Sequence, residues 1–263
     1  MVLIVSTFGA TDRYPDQEMM AKTLRAFLGS LRRQTSGAFR LFLAGHDPPP
    51  VSLAEPWISW ISISDGNGGS YVPRRLPEKA SDPVAYESSG MADKITDMGQ
   101  KTYRAVIEAG RWAYERELAS FWILRMDSDD LLCNGMVSLL MSLDREKVQA
   151  VFNRTCHMYD PRTGEIAEKR HPWSTTVNAL HYRLSDAGAF DPEWFYHCRD
   201  HTTFWQTVRK DGIKAMEVDH TLCITTNTGN SISGRPELAK EVGARNIKLT
   251  RELAERYGLD GFA

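Results

Sequence analysis

Net charge is scarce in this chain, cysteines are few and no apolar run is long, and each shortage excludes a class of protein. A formal charge of -2 over 263 residues gives no electrostatic reason to expect nucleic acid or an anionic membrane as the main partner. The four cysteines, Cys133, Cys156, Cys198 and Cys223, form no C-x-x-C pair, so spacing points to neither a zinc site nor a thioredoxin-like motif, and reduced thiols are expected. No stretch approaches the ~20 apolar residues that cross a bilayer. The start, MVLIVSTFGATDR, lacks a basic leader and a small-residue cleavage site, so it reads as a first strand and not a signal peptide. Among the seven histidines, His197 and His201 stand four apart, but without a third ligand at a recognisable offset they do not make a zinc site. Repeats and low-complexity tracts are absent. The expectation is a soluble, cytoplasmic protein, and 263 residues with 42% hydrophobic content suffice for one domain with a sizeable core.

What is present is an alternation of β and α patterns. Val2 to Ser6 is a short β-rich run. From Gln17 to Arg33, Met20, Leu24, Phe27, Leu28 and Leu31 recur at helical spacing. FRLFLAG, Phe39 to Gly45, supplies a second strand, so the first forty-odd residues form a βαβ unit. WISWISI, Trp57 to Ile63, is a third strand. The stretch from Asp65 to Gly90, rich in Gly, Pro and Ser, is aperiodic and reads as a long loop of the kind that forms lids. A helical pattern resumes from Lys94 to Leu118, and FWILRM follows as a strand. Beyond it, Gly135 to Leu143 reads as a helix, VQAVFNRTCHMYD as a strand pair and DPRTGE as a hairpin turn. HTTFWQTVRKDG reads as a helix, IKAMEVDHTLCITT as alternating strand, and Pro236 to Tyr257 as one or two polar-faced surface helices.

The chemistry is concentrated in SFWILRMDSDDLLCNGM, where Asp127, Asp129 and Asp130 follow a buried-looking strand and Arg125. Like charges so close repel one another, and taking them out of water is costly unless something positive compensates. Two aspartates at i and i+2 past a strand end suit Mg²⁺ or Mn²⁺, which prefer hard oxygen ligands and keep positions open for water and phosphate. Ligands of open α/β sheets bind beyond the carboxyl ends of the strands. The plainer alternative is a surface turn in which Asp130 or Asn134 caps the following helix. Arg125, inside an apolar run, needs a partner, either a nearby carboxylate or a phosphate.

LRMDSDDLL resembles the D-x-D segment of glycosyltransferases with the GT-A fold, in particular the family 2-like and rhamnosyltransferase groups. IVSTFGATDR is similar to the first strand and nucleotide-contacting loop of that family, TLRAFLGSLRRQTSGAFRLFLAG to its first helix and the strand after it, and RDHTTFWQTVRKDG to its later acidic segment, all in the family's order. The resemblance implies an α/β fold, a GT-A-like (Rossmann-like) nucleotide-binding mixed sheet flanked by helices in a single domain. Residues 1–132 would form the nucleotide-sugar half, 133–235 the acceptor half and 236–263 a helical tail. It further implies an inverting, metal-dependent transfer of a sugar from a nucleoside diphosphate donor to a hydroxyl of a saccharide or glycoconjugate. Asp129 would ligate Mg²⁺ or Mn²⁺. Asp127 would share the metal or contact the nucleoside, and Asp130 would orient the turn. Asp200 would be the general base, although Arg199 stands where many members carry Glu. Thr7 and Phe8 would line the base and ribose, with closing a turn as the alternative for the threonine. Lys94 and Lys101 lie where the family places basic residues; a solvated helix face is the other account. Asn230, with Asn227, stands where members carry a late His or Asn contact, and Trp173, Trp194 and Trp205 are candidate stacking surfaces on the acceptor side. Two other functions stay open: a nucleotidyltransferase, which wants a Gly-rich basic loop where TFGATDRYPD has one glycine, and a non-catalytic nucleotide-sugar-binding module.

Overall fold

The computed structural model describes residues 1–8, 17–63, 91–171, 175–184, 204–226 and 244–259, with the backbone alone described at 91–97 and 100. The first half alternates: β1 (Val2–Thr7), α1 (Gln17–Arg32), β2 (Phe39–Gly45), β3 (Ile58–Ser62), α2 (Met91–Glu115) and β4 (Ser120–Arg125). Then come β5 (Asp130–Leu132), α3 (Met136–Ser142), β6 (Ala150–Phe152), β7 (Thr155–Tyr159), β8 (Ile166–Arg170) and β9 (Asn178–Arg183). The described remainder is α4 (Phe204–Lys210), β10 (Ala215–Glu217), β11 (Cys223–Thr226), β12 (Arg245–Ile247) and α5 (Arg251–Tyr257).

Two sheets result. The larger has the order β10-β6-β9-β4-β1-β2-β3. Within it, β9 runs antiparallel to both neighbours and the other pairs are parallel. It is the mixed sheet flanked by helices that the sequence suggested. β1 sits near its middle and is covered on both faces, which is why VLIVST reads as a continuous apolar run and not an alternating one. Period-two geometry then sorts its side chains. Val2 and Ile4 join Leu41, Leu43, Trp122 and Leu124 in a core with Leu24, Phe27, Leu28 and Leu31 of α1. Leu3 and Val5 join Phe42, Phe121 and Ile123 in a second core with α2. Ala105, Ala109 and Ala113 belong to that second core, and small side chains four residues apart let a helix lie close against a sheet.

The smaller sheet has the order β12-β8-β7-β11-β5. The chain passes from the large sheet to the small one between β4 and β5, across residues 126–129 only. The aspartate turn is therefore one of the crossings between the sheets; β6 to β7, β8 to β9 and β10 to β11 are others. Two sequence expectations change here. IKAMEVDHTLCITT is not one strand but two, β10 in the large sheet and β11 in the small one. Within the tail, β12 pairs antiparallel with β8 before the single helical turn pair of α5, so that segment is not purely helical. NALHYR, unassigned from sequence, is β9. Among the described residues no helix is long and apolar enough to cross a membrane.

Candidate active site at the joint between the sheets

β4 delivers its last residue, Arg125, to the carboxyl edge of the large sheet, beside the ends of β1 and β2. The chain then turns sharply, with the Asp130 amide donating to the Asp127 carbonyl at 3.2 Å. Carboxylate oxygens of Asp127, Asp129 and Asp130 all lie within 4.8 Å of one another. Asp130 belongs to β5, and α3 is capped by Gly135 without a side-chain bond, so neither Asp130 nor Asn134 is a helix cap.

Hydroxyl groups fix this turn from three directions. Ser128 Oγ donates to the Thr7 carbonyl at 2.7 Å, tying the turn to the end of β1. Thr226 Oγ1 donates to the Asp129 carbonyl from the end of β11. Thr176 Oγ1 donates to Asp130 Oδ2. The last contact continues into a buried chain: Thr175 Oγ1 donates to Asn153 Oδ1 at 2.6 Å, and Asn178 Nδ2 donates to the Thr175 carbonyl at 2.9 Å. These anchors escaped sequence reading, except that Thr226 stands within the TTNTGN stretch noted for its asparagines.

Among the described residues, negative charge at the turn outweighs positive charge. Burial, reinforced by the Asp127 charge and opposed by Arg125, pushes the Asp129 carboxyl up to about 7. Burial and the charges of Asp129 and Asp127 raise Asp130 well above the carboxylate range. Asp130 Oδ1 is buried with no hydrogen-bond partner among the described residues. Arg125, at the turn, is itself enclosed; its Nη2 bonds Asp127 Oδ1 at 2.7 Å. Of the two partners anticipated for Arg125, the structure shows the carboxylate.

The other expected residues scatter. Thr7 is partly exposed at the end of β1 and accepts the Ser128 bond through its carbonyl. Phe8 is a correction: it is 2% exposed, within the α1-side core, and meets Trp60 edge-on. It fills the core and is not a surface open to a nucleoside. Gly45 permits that packing, because a Cβ there would come within 2.4 Å of the Trp60 ring. Lys101 is 1% exposed on α2, so a solvated helix face is not its setting. Lys94 lies on α2, where only the backbone is described. Asp200 and Asn230 lie outside the described residues, as do Trp173, Trp194 and the 65–90 segment.

No family profile and no curated protein matches the sequence. Solved structures do match. One, from Desulfovibrio desulfuricans G20, is provisionally named a nucleotide-diphospho-sugar transferase; identity is 9% over 99% of this chain and 96% of that one, with a TM-score of 0.41. Another, from Bacillus anthracis, is provisionally named a glucose-1-phosphate thymidylyltransferase and was solved with sucrose; identity is 10% over 96% of this chain and 99% of that one, with a TM-score of 0.39. At this distance neither likeness assigns a function, and the chemistry rests on the residues of the chain itself.

Proposed function

We propose that the chain is a divalent-metal-dependent, inverting glycosyltransferase that moves a sugar from a nucleoside diphosphate to a hydroxyl of a saccharide or glycoconjugate. One observation carries this reading: three carboxylates converge within 4.8 Å at the carboxyl edge of a mixed sheet, on a turn held from three sides. The donor set fits a hard cation. All the ligands are oxygens, their mutual repulsion and burial disfavour the charge they must carry, and a buried carboxylate oxygen lacks a partner. Asp129 and Asp127 would hold Mg²⁺ or Mn²⁺. When bound, the ion would neutralise charge developing on the departing nucleoside diphosphate. The protein's own contribution is positional. Arg125 orients Asp127 through their half-buried ion pair, while Ser128, Thr226 and Thr176 hold the turn so that its carboxylates need not reorganise when substrate arrives. Asp200 takes the role of base, accepting the proton of the acceptor hydroxyl. A single displacement needs no covalent nucleophile.

The test is a thermal-shift series of UDP, GDP and dTDP with and without Mn²⁺, because a ligand that binds only the folded state raises its apparent stability by mass action. A metal-dependent shift with one nucleotide is expected, followed by sugar transfer from the matching donor to a saccharide acceptor. Release of pyrophosphate from a nucleoside triphosphate and a sugar phosphate would instead establish a nucleotidyltransferase. Absence of any metal-dependent nucleotide shift would overturn the reading.

A further inference from the structure

The strand register carries the active edge of the large sheet well beyond the aspartate turn. Arg125 pairs with Asn178, Asn178 with Phe152, and Phe152 with Glu217. The end of β10 thus lies on the same edge, three strand spacings from the end of β4, or roughly 14 Å at ~4.8 Å each. Around Glu217 stands a group of arginines that the proposed transfer step does not use. Arg154, just past β6, makes a fork to Glu217, with Nε to Oε1 and Nη2 to Oε2 both at 2.8 Å. Arg170, the last residue of β8, donates to the same Oε1 at 3.1 Å. The Arg154 guanidinium stands 5.9 Å from the centre of the Trp205 ring, and that of Arg209, one turn further along α4, stands 6.0 Å from it.

Arg154 is thus common to two pairs: it shares the Glu217 carboxylate with Arg170 and the Trp205 indole with Arg209. Two of the three positive charges have no carboxylate of their own among the described residues. An isolated exposed ion pair needs no explanation, since such pairs contribute little. Setting two arginines on one carboxylate, with a third across the neighbouring indole, is unfavourable unless a further anion is supplied. The division of labour is readable from exposure. The Arg154 and Glu217 side chains are 29% and 28% exposed and hold each other in a fork, whereas Arg170 is 60% exposed and reaches an oxygen that Arg154 already uses. Arg170 keeps most of its donors for another acceptor. Planar guanidinium groups match carboxylate and phosphate oxygens two at a time, and the aromatic body of Trp205 beside them adds apolar contact area.

We infer that Arg154, Arg170 and Arg209, with Trp205, bind an anionic group, a carboxylate or phosphate ester, carried by the saccharide acceptor. This rests on the transferase reading only in calling the ligand an acceptor. Glu217 holds Arg154 in place, and Arg170 and Arg209 supply the free donors.

The metal-free chain, in EDTA and at fixed ionic strength, is titrated calorimetrically with glucose 6-phosphate, glucuronate, glucose and inorganic phosphate. The two charged sugars are expected to bind, glucose to give no measurable heat, and inorganic phosphate to bind at least roughly tenfold more weakly than glucose 6-phosphate, for want of a ring to stack. An Arg170→Ala/Arg209→Ala double variant should lose at least roughly tenfold in affinity for the charged sugars, the effect of removing charge-assisted hydrogen bonds. If that variant does not fold, the parent's affinity should instead fall as NaCl is raised. Glucose binding as tightly as glucose 6-phosphate, an unchanged affinity in the folded double variant, or insensitivity to salt would each overturn the inference. Phosphate binding as tightly as the phosphorylated sugar would reduce the site to an adventitious ion only. Failure of the metal and donor reading shows separately, in the Mn²⁺-dependent nucleotide titration, and leaves these results standing.

Discussion

Replacing Asp129 by Asn separates a ligand-binding carboxylate from a structural one, because the two accounts predict opposite changes in stability. The Asp129 carboxyl titrates near pH 7 in the folded chain, against an ordinary value of 3.8. A folded-state value raised above the unfolded one means that the folded chain holds the proton more tightly. The favourable contribution is present below about pH 4 and is lost as pH climbs to about 7. At pH 8 the metal-free parent bears the full penalty. A separation from 3.8 to about 7 corresponds to at most about 4 kcal/mol, reduced to about 1–2 kcal/mol once water reaches a partly exposed group. Asparagine cannot ionise, so Asp129→Asn should be more stable than the parent in EDTA at pH 8, by about 1–2 kcal/mol, and nearly equal to it at pH 4. Mn²⁺ should reverse the order, since the ion stabilises only the protein that binds it. Loss of a direct ligand should weaken Mn²⁺ by at least roughly 100-fold, the upper end of what outer-sphere changes cost. Urea unfolding at the two pH values, with EDTA or Mn²⁺, reads all of this. A variant less stable than the parent in EDTA at pH 8, or one that binds Mn²⁺ undiminished, would refute the electrostatic account of the turn.

Other perturbations probe the anchors and the distant parts of the fold. Thr226→Val keeps the shape of a fully buried side chain but deprives the Asp129 carbonyl of its hydroxyl donor. About 1–3 kcal/mol of stability should be lost, together with Mn²⁺ affinity, and Thr226→Ser should restore both; calorimetric titration and urea unfolding measure the pair. His181 is buried at the opposite end of β9 from the turn, and burial, with the charges of Arg145 and Arg183, lowers its pKa from 6.5 to about 4. Its contribution is complete above about pH 6.5 and is lost as pH falls to about 4. It amounts to at most about 3 kcal/mol, and His181→Gln should flatten the acid limb of a stability profile over that window. Asp200→Asn should lower turnover by roughly 10²–10⁴-fold with donor affinity unchanged; near-parental turnover in the folded variant would remove Asp200 from catalysis.

The first half of the fold was legible because its signals are local. Phe39–Gly45 is the strand that its apolar run announced, and the heptad-like spacing of Leu24, Phe27, Leu28 and Leu31 picked out the face of α1 that is buried. The second half was less so. Ala215–Glu217 and Cys223–Thr226 lie six residues apart in a single alternating stretch, yet they belong to different sheets, a choice made by partners far away in the chain. The exposed and half-buried residues of β12 give no period at all: RNI has no apolar face for a sequence to display, and it becomes a strand only because Glu168, Ala167 and Ile166 offer an edge to pair with.

The same contrast governs the site. Its carboxylates could be found because Asp127, Asp129 and Asp130 are nearly consecutive. Its supports could not, since the hydroxyls of Ser128, Thr226 and Thr176 reach partners 121, 97 and 46 residues away, and serine or threonine at a strand end is too common to mark such a bond. Those distant partners explain the arrangement. Because residues 126–129 form one of the passages between the two sheets, a shift of one sheet against the other would displace the carboxylates. The three hydroxyl bonds join the end of β1, the end of β11 and the segment before β9 to that passage. Burying Asp130 with an unpartnered oxygen is unfavourable for the empty protein, and a bound cation would relieve it. On the metal-dependent reading proposed above, the strain of the acidic turn and the rigidity of its supports have one physical account: the fold keeps its carboxylates converged in advance, so that a cation would not have to supply the work of bringing them together.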